Sequence, residues 1–178
     1  MKYALSAVFS MLGMILLTPS NARGDGALEA QVKAVFILNA ARFVQWPDAA
    51  FSSDAAPIVI GVLGDNPITG VLQQAVKGET ANNRQLVVKR LSRGQSSAGC
   101  HVLLISRSES GRLDGVLKSL DDSSVLTVSE MDQFAQRGGI IGLVMQENNV
   151  RFEVNTAAAR KAGLNISSRL LSLAKIVK

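Results

Sequence analysis

Residues 57–67 read P-I-V-I-G-V-L-G-D-N-P, and this stretch decides the fold. Pro57 to Leu63 is a continuous apolar run of strand length, rich in β-branched side chains. A strand with one wet face would alternate apolar and polar residues. A run that is apolar on both sides suits a centre strand covered on both faces. Gly64-Asp65-Asn66-Pro67 is a turn that opens a helix, with Asn66 as N-cap and Pro67 at the first helical position. That helix runs to about Lys77 and ends on Gly78, a residue suited to the left-handed conformation that follows a helix. A strand running straight into a helix is the unit of an α/β domain.

The pattern repeats outward from there. Gln85 to Leu91, His101 to Ser106 and Val125 to Val128 read as strands, with a small-residue loop over 93–99. Ser108 caps a helix to about Leu120, weakened by Gly111 and Gly115. Ser129-Glu130-Met131-Asp132 resembles a capping box with Asp in place of Glu, and its helix is cut short by Gly138-Gly139. Gly139 to Met145 and Val150 to Val154 flank Gln146-Glu147-Asn148-Asn149, which predicts an antiparallel hairpin. Asn155 caps a helix that ends at Gly163, and Ser167 or Ser168 opens a last helix through Ile176. The expected fold is a three-layer α/β sandwich. Its sheet is mixed and mostly parallel, with a C-terminal antiparallel hairpin followed by helices.

Before the first strand, Ala27 to Val44 carries apolar residues at helical spacing. A helix over 27–45 is expected to bury Val32, Val35, Phe36 and Phe43, and Pro47 forbids its continuation. Trp46, the only tryptophan in the chain, stands at its end. It reads either as the plug of the core or, with Phe43, as an edge that a partner touches, since tryptophan suits a surface packed on one side and bound on the other.

Residues 1–22 read as a secretory signal peptide. Lys2 is a short basic region, Ala4 to Leu17 is apolar, and Ser20-Asn21-Ala22 sets small residues before a cleavage point. The apolar run of ~14 residues is shorter than the ~20 that span a bilayer. The expected mature chain, 23–178, is a single exported domain. Basic residues are scattered over a chain of formal charge +5, which argues for solubility and against a nucleic-acid surface.

Little in the sequence points to catalysis. Cys100 is the only cysteine, so it stays unpaired within the chain. His101 beside it would point to the opposite face of a strand and could not form a dyad with it. One histidine and one cysteine do not make an ordinary zinc site, and no G-x-S-x-G elbow occurs. The expectation is a protein that is not an enzyme and needs no metal or cofactor. A small ligand at the carboxyl ends of the strands, touched by Asp65, Asn66 and Ser106, is the alternative reading.

Five blocks, in order, are K-A-V-F-I-L-N-A-A-R-F-V-Q-W-P (33–47), I-V-I-G-V-L-G-D-N-P (58–67), C-H-V-L-L-I-S (100–106), L-T-V-S-E-M-D-Q-F-A-Q-R-G-G-I-I (126–141) and V-R-F-E-V-N-T-A-A-A-R-K-A-G-L-N-I-S-S-R-L-L (150–171). Together they resemble the YfiR family. The resemblance implies a small periplasmic α/β protein that tends to form homodimers. It implies a repressor that binds the periplasmic sensor region of a membrane-anchored GGDEF diguanylate cyclase and lowers cyclic-di-GMP output, and with it biofilm and attachment. Family members with several cysteines form disulfides; with Cys100 alone, no such bridge is expected here. The densest block points to Arg151, Glu153 and Asn155 on one strand face, with Arg160 beside them, as the partner strip. On that reading Glu153→Lys should release the partner and leave the fold intact. The homodimer would use an apolar C-terminal helix bearing Leu170, Leu171, Leu173 and Ile176.

Overall fold

The structure is a computed structural model that describes residues 22–146 and 149–177. The expected signal peptide falls on residues 1–22 and so lies, but for its last residue, outside the described residues. In chain order the elements are α1 (Ala22–Phe43), β1 (Val44–Gln45), β2 (Ile58–Leu63), α2 (Ile68–Ala75), β3 (Thr80–Ala81), β4 (Arg84–Leu91), β5 (Val102–Ile105), α3 (Leu113–Lys118), β6 (Leu126–Ser129), β7 (Ile141–Gln146), β8 (Asn149–Asn155), α4 (Thr156–Lys161), β9 (Asn165–Ile166), α5 (Ser168–Leu171) and β10 (Lys175–Val177).

Eight strands form one sheet in the order β10-β8-β7-β6-β5-β2-β4-β3. From β4 across to β7 every pairing is parallel, which places β2 and β5 at its centre. β8 turns back antiparallel to β7, as the hairpin reading expects, and β3 is antiparallel to β4. β1 and β9 form a separate two-stranded ribbon, with Val44 opposite Ile166.

Strand alternation sorts the core into two layers. Ile58, Ile60, Val62, Val102, Leu104 and Leu126 face α1 and α2 on one side of the sheet. Leu63, Leu91, Leu103 and Ile105 face the other side, where Leu113 of α3, Met131 and Phe134 cover them. Helices on both faces of a mostly parallel sheet make the three layers expected from the apolar run of β2.

Local signals explain where helices begin. Asn66 Oδ1 accepts the Ile68 amide at 3.0 Å, and Gly78 takes φ +76° just beyond α2. Asn155 Oδ1 accepts the Ala158 amide at 2.8 Å at the start of α4.

Four expectations need correction. The buried apolar stripe of α1 is Ala34, Ile37, Leu38, Ala40 and Ala41, whereas Val32 and Val35 are 44% and 50% exposed and Phe36 and Phe43 are half-buried. Apolar residues surround this helix, so periodicity alone did not single out the side that packs; small alanines line the side that does. The last helix is α5, of four residues, and the chain then forms β10, which pairs parallel with β8 and sets Ile176 beside Val154. There it covers the outer edge of β8 and supplies partners to its backbone. Leu173 and Ile176 are exposed, so no continuous apolar C-terminal helix exists. The predicted helix at 108–120 is a 3-10 turn over Arg107–Arg112 followed by the shorter α3. After β6, Ser129 Oγ caps only a turn: it receives the Met131 amide at 3.2 Å and donates to the Ile105 carbonyl at 2.7 Å.

Candidate partner-binding surface

The strip on β8 is graded in exposure. Arg151 is exposed, Glu153 is half-buried and Asn155 is buried. Phe152 and Val154 point the other way, into the layer under α1, where the Phe152 ring meets Phe36 at 4.5 Å between centroids. Glu153 is already engaged: Lys175 of β10 donates to one carboxylate oxygen at 2.8 Å and Gln136 to the other at 2.7 Å. The Lys175 hydrogen bond holds the Glu153 carboxyl below its ordinary range, against a smaller opposing effect of burial. Asn155 is fully used as a cap, since its Nδ2 also donates to the Ala135 carbonyl at 2.8 Å. Arg160 on α4 is exposed. Arg151 and Arg160 are thus the exposed side chains of the four, while Glu153 and Asn155 are engaged in holding the frame.

Phe43 and Trp46 belong to a different part of the surface. Both pack in the layer opposite the strip, Phe43 half-buried and Trp46 only 8% exposed. Trp46 Nε1 donates to the His101 carbonyl at 3.2 Å. The arrangement does not join these two residues to Arg151 and Glu153.

The ligand trio is also split. Asp65 is exposed, Asn66 is half-buried at its cap, and Ser106 is 1% exposed. A cavity of about 280 Å³ is lined by Asp65, Asn66, Thr69 and Arg90 but not by Ser106. The Ser106 hydroxyl is buried without a hydrogen-bond partner. Gly64 makes the turn possible: its φ is +83°, and a Cβ there would lie 2.5 Å from Ser108 Oγ. A larger cavity of about 740 Å³ lies on the α3 side, lined in part by Leu63, Cys100, Val116 and Ser97.

Both ring nitrogens of His101 are engaged within the chain. Its Nδ1 accepts the Val59 amide at 3.1 Å, and Nε2 faces the Ala50 carbonyl at 3.1 Å. An amide donor at Nδ1 fixes the neutral ring with its proton on Nε2. Phe51 stacks on the ring at 4.5 Å, and the Arg84 guanidinium caps Phe51 at 3.7 Å. Burial lowers the His101 pKa, helped by the Arg84 charge and opposed by the Ala50 hydrogen bond. Burial pushes the Cys100 thiol up, away from the reactive thiolate.

Two buried ion clusters escape sequence reading. Lys33, on α1, bonds Glu29 one turn back and Glu130 beyond β6 at 2.9 Å. Burial opposes its charge, yet the two carboxylates outweigh that and raise its pKa. Glu109 is 2% exposed, paired to Arg112 and, at 3.6 Å, to Arg93. For Lys33, Glu29 four residues before it was the one local signal, and nothing in the sequence named Glu130 as the second partner.

The chain belongs to the YfiR/HmsC-like family, whose model matches residues 30–175. It is a regulatory rather than catalytic family, associated with diguanylate cyclase signalling. Comparison with curated proteins returns no match. Among the described residues, no helix is long and apolar enough to cross a membrane.

Proposed function

We propose that this protein is a periplasmic negative regulator. It is exported by residues 1–22 and acts as a single domain over 23–178. It binds the periplasmic sensor region of an inner-membrane, GGDEF-type diguanylate cyclase and lowers cyclic-di-GMP output, restraining biofilm and attachment. The observation that carries this reading is the family match over nearly all of the described domain. Exposed Arg151 and Arg160 on a frame of β8 and α4 support a docking role.

Repression needs only differential affinity: a preference of ~3 kcal/mol for the inactive cyclase shifts its equilibrium about 150-fold. Removing the protein from its cell should raise cyclic-di-GMP, and the purified domain should retain the cyclase's periplasmic region on a column. An unchanged nucleotide level together with no retention would refute the reading. The second reading, a small-ligand module at the 280 Å³ cavity by Asn66 and Arg90, requires a thermal shift with a periplasmic metabolite in the absence of any cyclase.

A further inference from the structure

One edge of the main sheet is open. β3 covers β4 only at Arg84 and Gln85, which pair with Ala81 and Thr80. From Val87 to Leu91, β4 is paired on its inner side alone, in unbroken parallel register with Val59–Leu63. The directions of its backbone groups follow from two bonds. The Leu86 amide donates outward to the Glu79 carbonyl at 3.1 Å, while the Leu91 carbonyl accepts inward from Gly64 at 3.3 Å. Alternation then turns the amides and carbonyls of Val88 and Arg90 outward, and among the described residues none of them has a hydrogen-bond partner.

Sheet edges are normally blunted by proline, bulges, shortness or charge. The opposite edge, β10, is only three residues long and is tied by Lys175 to Glu153. β4 has eight residues, with no proline, no glycine and no bulge against β2. Its protection is charge alone. Lys89 and Arg90 are exposed and lie on opposite faces, Arg90 beside the Asn66 turn and Lys89 toward Cys100. Exposed Val87 adds an apolar contact on the Lys89 face. Two adjacent cations repel a second copy of the same edge and attract a strand that carries acidic residues.

We propose that the Val87–Leu91 edge is a docking site for an extended, acidic segment of a partner protein, which adds as a further strand. Backbone bonds to Val88 and Arg90 supply the pairing, and two consecutive acidic residues, pointing to opposite faces, meet Lys89 and Arg90. In the regulatory reading this segment belongs to the cyclase's periplasmic region.

The test uses a capped hexapeptide with two adjacent glutamates flanked by valine and threonine, titrated into the purified protein and followed by amide NMR. Shifts concentrated at Val88 and Arg90 are expected, lost when alternate peptide amides are N-methylated. They should weaken about tenfold with the adjacent glutamates replaced by lysine. Arg90→Pro removes an outward donor without touching the β2 pairing and should abolish binding. If that variant unfolds, the N-methylated peptide still decides the question with the native chain. Shifts located elsewhere, or undiminished by N-methylation, overturn the proposal, as does the absence of shifts. The cyclase's periplasmic region, tested separately, distinguishes the two readings. Retention by both wild type and Arg90→Pro discards the edge as the cyclase's site and keeps the regulatory function. Failure of the wild type to retain it discards the function, while the peptide result stands on its own.

Discussion

The amide of Val59 is held by the imidazole of His101, at 3.1 Å to Nδ1, so a side chain at the start of β5 completes the hydrogen bonding of β2. A proton on Nδ1 would break this bond. The His101 pKa is lowered, so the folded state binds fewer protons than the unfolded chain once the pH falls below the ordinary histidine value of ~6.5. The stabilisation is complete above that value and is lost as pH falls toward the folded pKa. Thermal unfolding should show a falling melting temperature from pH 7 to pH 5. His101→Gln should lower stability at pH 7 and flatten that slope; an equally steep slope in the variant would assign the acid sensitivity to other groups.

Gly61 and Cys100 exclude each other's growth. A Cβ on Gly61 would lie 2.7 Å from Cys100 Sγ and 3.1 Å from methyls of Leu103 and Leu91. Gly61→Ala should cost ~1–3 kcal/mol through overpacking. Cys100→Ala removes the sulfur, so the double variant should be more stable than the sum of the single losses, with a coupling of about 0.5–3 kcal/mol. Urea denaturation of the four proteins measures it.

Phe152 ties the hairpin to α1. It is 9% exposed and tilted 50° to the Phe36 ring. Phe152→Ala should cost ~3–5 kcal/mol. Phe36→Ala, at a half-buried position, should cost less, and the reverse order in chemical denaturation would contradict this packing.

Arg151 is the clean probe of the β8 strip. Glu153→Lys, the substitution suggested by the sequence, sets a cation against Lys175 and should loosen β10 as well as any docked partner. Arg151→Glu changes an exposed side chain. It should leave circular dichroism and melting temperature unchanged while reducing retention of the cyclase's periplasmic region. Full retention would remove the strip from the docking surface.

Glu153 also sets an acid limit on β10. Its folded pKa is lowered, so its contribution is present above the ordinary carboxyl range and lost as pH falls through the folded value. Protection against hydrogen exchange at Lys175–Val177, relative to the free-chain rate at each pH, should fall on acidification before protection in β2 does, and Glu153→Gln should show the lower protection already at neutral pH.

The central strands were legible because an unbroken apolar run has few other uses in a short segment, and β2, Ile58–Leu63, lies within the run read over 57–63. Asn66 and Asn155 were legible as caps because capping draws on amides only two or three residues away. What needed a distant partner was not. The packed side of α1 and the salt link from Lys33 to Glu130 each depend on chain far removed in sequence. β10 read as helix because Leu170 to Ile176 has helical spacing, and only the outer edge of β8 makes it a strand. That error hid the Lys175 partner of Glu153 and made the strip look freer than it is.

The small ribbon of β1 and β9 joins the two ends of the domain. Val44 pairs with Ile166, and the Ser167 amide reaches the Phe43 carbonyl at 2.9 Å. α1 also packs on α5 and β8, from the last part of the chain. A polypeptide emerging from its amino end can lay its first helix on α2 early, but the ribbon that clasps that helix closes only when almost everything else has been made. Contacts of such long sequence separation slow folding, so a chain handed through a membrane pore during synthesis would travel before it could close. Its domain would knot its ends together only on the far side.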